Sequence, residues 1–141
     1  MRASAILAAI LAASLAAADD KDKPTVKEIP TKGLKITFPK MGKATEPTKI
    51  KSLEELKKNA VVGAAAEEIA KQIDFEKQDL LVFAWSGSGQ DKITASIGAS
   101  SDGKPIVYAE YLPGKTRDLR KHVRLFAATK GLKVEVEIGR Q

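Results

Sequence analysis

The sequence predicts an α+β domain: a mostly antiparallel sheet of about five to six strands with a short helical segment packed on one face. Three observations predict it. Leu80 to Trp85 is an unbroken apolar run, which reads as a strand covered on both sides. Later segments alternate apolar and polar residues at a period of two, the mark of half-buried strands. Helical spacing occurs only between about Ser52 and Gln72.

The chain opens with Arg2, an Ala/Leu/Ile-rich stretch from Ala3 to Leu15, and Ala16-Ala17-Ala18 before Asp19-Asp20. A positive start, an apolar core and a small-residue site predict a signal peptide over residues 1–18, cleaved after Ala18. The apolar run is shorter than the roughly 20 residues that span a bilayer. No membrane span is therefore expected after cleavage, and the protein is expected to be secreted or periplasmic.

Residues 19–32 are charged and carry prolines, so they read as a flexible arm. Residues 33–141 then form one domain. Leu34, Ile36 and Phe38 alternate with Lys35 and Thr37, predicting a short strand closed by Pro39. Ser52-Leu53-Glu54-Glu55 is a capping box, with the Glu55 carboxylate expected on the Ser52 amide. It starts a short helix that stops at Asn59. A second helix is expected over about Gly63 to Gln72, with Val62, Ala66, Ile69, Ala70 and Ile73 on its apolar side.

The apolar strand follows, broken by Ser86-Gly87-Ser88-Gly89. Ile93, Ala95 and Ile97 then alternate with Lys92, Thr94 and Ser96, which predicts a hairpin. Ser100 to Pro105 is a turn, and Ile106 to Leu112 a strand. His122 to Ala127 and Leu132 to Ile138 complete the sheet, with Thr129-Lys130-Gly131 as a tight turn. Short turns between strands predict an antiparallel meander.

Together, the capped helix, the Ile73-Asp74-Phe75-Glu76-Lys77 lead into an aliphatic strand, the Gly-rich turn and the second strand resemble the PrcB-like family. These are small exported bacterial domains named for an accessory subunit of a surface protease complex. The resemblance spans roughly residues 49–138. It departs at Trp85 to Asp91, where the family tends to carry a Gly-Gly-Tyr type hairpin. It departs again at Thr116 to His122, in place of a Pro-Tyr element. The resemblance implies an accessory role and transfers no catalytic residue.

Composition narrows the chemistry. The 141 residues carry a net charge of +6, but 18 are acidic, so the basic excess is a bias and nucleic acid is not the expected partner. No cysteine and one histidine, His122, argue against a metal site or other cofactor. Ser86, Ser88, Asp118 and His122 include the residue types of a hydrolase triad, but no Gly-x-Ser-x-Gly elbow presents the serine. No catalytic residue is assigned, and the chain is not expected to be an enzyme.

Lys115, Arg117, Arg120, Lys121 and Arg124 place five cations within ten residues. Such a segment suits an acidic partner, an anionic polymer or lipid headgroups. The same cations also suit a solvated strand edge that resists aggregation. Trp85 borders the glycine loop and is the aromatic expected to flank a small groove. The sequence thus predicts an exported binding or accessory module at the cell envelope. The alternative is an anionic-glycan or surface-polymer binder using residues 115–124, and a small hydrolase comes last.

Overall fold

The computed structural model describes residues 23–38 and 42–140. The leader over 1–18, the start of the arm over 19–22 and Pro39 lie outside the described residues. Strands are β1 (Val26–Ile29), β2 (Thr48–Ile50), β3 (Gln78–Ser88), β4 (Lys92–Ala99), β5 (Pro105–Leu112), β6 (Leu119–Thr129) and β7 (Lys133–Ile138). Helices are α1 (Leu53–Lys58) and α2 (Ala66–Ala70), the latter entered through a 3-10 turn at Gly63–Ala65. The fold is sheet-rich and mostly antiparallel.

The strands form two sheets rather than one. The first has the order β1-β6-β3-β2, and every pair in it is antiparallel. The second has the order β4-β5-β7, with β4 antiparallel and β7 parallel to β5. β3 explains the arrangement. Leu80 and Val82 point to a core shared with Leu56, Val62 and Ile69 of the helical region. Leu81, Phe83 and Trp85 point to a second core shared with Ile93, Val107 and Ala109 of the other sheet. An apolar strand with two dry faces needs a cover on each, and the helices and second sheet supply them.

This geometry corrects the expected connections. β3 and β4 do not pair as a hairpin; the chain crosses from one sheet to the other between them. β6 and β7 likewise belong to different sheets, so the C-terminal half is not a meander. A hairpin partner beside β3 would leave the Leu81-Phe83-Trp85 face open to water. Folding β4, β5 and β7 over that face buries it. The Ser100–Pro105 turn does join a paired hairpin, with Ser100 and Gly103 closing it.

The N-terminal part also differs. The end of the expected arm is β1, paired to β6 from Val26↔Ala128 to Ile29↔Leu125, and Ile29 is buried. Leu34, Ile36 and Phe38 do alternate inward, but they form no strand. They lie against the helix-side core, and the Thr37 amide donates to the Val61 carbonyl. Alternation reports a half-buried extended chain, and pairing partners must be present as well for a strand.

The helical starts follow local chemistry. The Ser52 hydroxyl accepts from the Glu55 amide, while the Glu55 carboxylate accepts from Lys51 rather than Ser52. Asn59 ends α1, and its side chain accepts from the Val61 and Val62 amides to start the next turn.

The buried charged residues among those described are Asp79 and Asp91. Each latches a connection between sheets. Asp79 accepts from the Gly131 amide at 2.9 Å and faces the Lys130 ammonium at 3.4 Å, fastening β6 to β7. Asp91 accepts from the Gly114 amide at 2.7 Å, fastening the passage from β5 to β6.

Candidate functional site

The end of β3 sets the site. After Ser88 the chain turns tightly, with the Asp91 amide on the Ser88 carbonyl, and the Asp91 side chain folds back into the sandwich. Its Oδ2 accepts from the Trp85 indole at 3.0 Å and the Tyr111 hydroxyl at 2.9 Å, leaving Oδ1 for Gly114. The carboxylate arrives through space that a side chain at position 87 would fill. A Cβ on Gly87 would lie 2.0 Å from Asp91 Oδ2.

Burial pushes the Asp91 carboxyl upward, but the Gly114, Trp85 and Tyr111 hydrogen bonds outweigh it and hold it below the usual carboxylate range. The same arrangement acts in reverse on the phenol. Burial, with the Asp91 carboxylate beside it, pushes Tyr111 up to about 12.

Trp85 is therefore a core residue and not the wall of a groove. It is buried, stacks on His122 at 4.9 Å and meets the Tyr111 ring edge-on at 6.0 Å. Its ring is committed on both sides, and its one polar atom is taken by Asp91.

The hydrolase-type residues meet without forming a triad. His122 Nε2 lies 2.7 Å from the Ser88 carbonyl oxygen, and since a carbonyl only accepts, this nitrogen donates. The Ser88 hydroxyl hydrogen-bonds instead to Thr116. Asp118 receives Arg120 at 2.7 Å and the Gly89 amide at 3.2 Å. Hydrogen bonds from Thr116, Gly89 and Arg120 hold its carboxyl down at about 2. Ser88, Asp118 and His122 fasten the loops to each other, with no hydroxyl on an imidazole.

The five cations of residues 115–124 do not form one cluster. Lys115 and Arg117 are exposed and carry no ion pair among the described residues. Arg120 is exposed and bound to Asp118. Lys121 sits over the Phe38 ring, 5.6 Å from its centroid. Arg124 lies farther along β6, partly buried, and faces Glu28 of β1 at 3.7 Å. Lys115, Arg117 and Lys121 are therefore the exposed cations of the segment with no acidic partner among the described residues, with Arg120 as a bridge between loop and surface.

Sequence reasoning missed Asp91 and Leu119. Asp91 looks like an ordinary turn residue; its signal was a lone carboxylate just past a glycine loop and within reach of a tryptophan. Leu119 stands in the middle of the basic segment and is 80% exposed. No family model, curated protein or solved structure matches the chain.

Proposed function

We propose that the protein is an exported, non-enzymatic binding module that acts at the cell envelope and supports another component there. Its partner is engaged through the end of the sandwich that carries Lys115, Arg117 and Lys121. The observation that carries this reading is a set of solvent-exposed cations on a fastened frame. Asp91 ties the start of the segment through Gly114, and Asp118 ties its middle through Gly89 and Arg120. Pre-organised cations lose less freedom on binding than cations on a loose loop. The leader pattern and the PrcB-like resemblance point to the same place of action.

The test is capture from envelope extract, run beside capture on an immobilised anionic polysaccharide. Changing Lys115 and Arg117 together to Glu should weaken capture strongly while leaving the melting temperature nearly unchanged. Wild-type capture should fall with added salt, since exposed charges are screened beyond a Debye length of about 8 Å at physiological ionic strength. Retention by the polysaccharide alone would favour the glycan-binding alternative. Capture that ignores both the charge reversal and salt would refute the assignment of this surface.

A further inference from the structure

The two sheets bring five strand termini to one end of the molecule. β3 ends and β6 begins there, with Ser88 opposite Leu119. β4 begins and β5 ends there, with Lys92 opposite Leu112. β7 ends beside them, with Ile138 opposite Tyr111. Three large hydrophobic side chains are exposed among the described residues, and the two most exposed are at this end: Leu119 at 80% and Ile138 at 60%. The exposed cations Lys92, Lys115, Arg117, Arg120, Lys121 and Arg140 surround them in sequence or register.

Few opposing charges stand at this end, and of these Glu110 carries no ion pair among the described residues. Asp118 is held by Arg120 and the Gly89 amide. Glu110 and Glu137 pair in register one step down the outer face of the second sheet, and Glu137 accepts from the Tyr108 hydroxyl. The opposite end, around Asp102, Lys104, Lys133 and Glu135, mixes both signs in ion pairs.

We infer that this end docks on an anionic lipid surface, with Leu119 and Ile138 entering the headgroup layer and the surrounding cations meeting lipid phosphates. This rests on reading the basic end as the interface, and it names the partner. The two apolar side chains come from strands of different sheets, Leu119 from β6 and Ile138 from β7. A protein partner would need two separate pockets at matched spacing, whereas a fluid headgroup layer takes isolated apolar groups wherever they fall. Lysine and arginine also suit this depth, since their stems lie along apolar surface while their heads stay with phosphate.

The test is flotation of the full chain with vesicles of phosphatidylglycerol and phosphatidylethanolamine, against vesicles of phosphatidylcholine alone. The N-terminal segment is the same in every variant, so differences report the sandwich end. Binding should require the anionic lipid. Lys115→Glu with Arg117→Glu should weaken it by at least about fivefold per cation. Leu119→Ser with Ile138→Ser should weaken it about tenfold. Lys104→Glu with Lys133→Glu at the opposite end, the same change in net charge, should leave it nearly unchanged. Equal losses from the two charge pairs, indifference to lipid charge, or no effect of the serine changes would overturn membrane docking. If vesicles are ignored but the basic-end changes still abolish capture of an envelope protein, the interface stands and its lipid identity falls. If neither changes, both fall.

Discussion

Asp91 is a buried carboxylate at the basic end. Three donors converge on it: an indole, a phenol and a backbone amide. Removing the acceptor leaves buried donors unpaired, which typically costs about 1–3 kcal/mol. Asp91→Ala should therefore lower stability by at least that amount in denaturant titration and alter the emission of Trp85, the only tryptophan in the chain. Gly87→Ala should act through the same contact, because its Cβ would occupy the place of the carboxylate oxygen. The double change should cost less than the sum of the two, as changes that share one contact do; full additivity would mean the two residues act independently.

The titrations at this scale have definite signs. Asp91 and Asp118 are depressed when folded, Asp118 to about 2. Their contribution is present above the unfolded aspartate value of about 3.9 and is lost as pH falls through the folded values. Acid should thus loosen the basic end in the range below about pH 4, seen as a shift in Trp85 emission. The phenols run the other way. The two tyrosines, Tyr108 and Tyr111, are both raised to about 12, Tyr108 by its hydrogen bond to Glu137 and Tyr111 first by burial. The Tyr111 contribution is complete below about 10 and lost as pH rises through 12. Since these are the only tyrosines, phenolate absorbance of the folded protein should titrate near 12. A midpoint near the free-tyrosine value of about 10 would contradict both hydrogen bonds.

At the scale of elements, β3 and β1 make the sharpest claims. β3 is buried against the helices on one face and against the second sheet on the other, so Leu81→Ala or Phe83→Ala should cost about 2–5 kcal/mol. Lys115→Ala, on the exposed segment, should stay within roughly 0.5 kcal/mol. Comparable effects would mean that β3 is not central. β1 tests where the domain begins. Ile29 is 3% exposed within the helix-side core, so Ile29→Ala should cost on the order of 2–5 kcal/mol. A tether would lose nothing. The sequence reading of residues 26–29 as arm failed because a four-residue strand of Val-Lys-Glu-Ile has almost no periodicity, and its partner β6 lies about a hundred residues away.

At the scale of the whole molecule, a net charge of +6 says little until it is placed. The fold gathers cations from β4, from the β5–β6 passage, from β6 and from the C-terminus at one end. Exposed cations thereby stand at the end where Leu119 and Ile138 are exposed. Among the described residues no helix is long and apolar enough to cross a membrane.

The sequence by itself determined roughly where β3 to β7 run and where the chain turns between them, but not β1. The run from Leu80 to Trp85, the alternation in β4 and β7, the Ser52 cap and the Asn59 stop were legible because each depends on neighbours within a few residues. Only the tertiary structure decided which strands pair. The short connections after β3 and β6 have the length of hairpin turns, but the apolar faces they join must cover the far side of β3, so the chain crosses between sheets there. The same distinction governs the candidate site. Five cations close in sequence were visible at once. That Arg124 is drawn away to Glu28, that Trp85 is core, and that Ile138 and Lys92 stand beside the basic segment follow from strand register, which depends on burial across the whole fold.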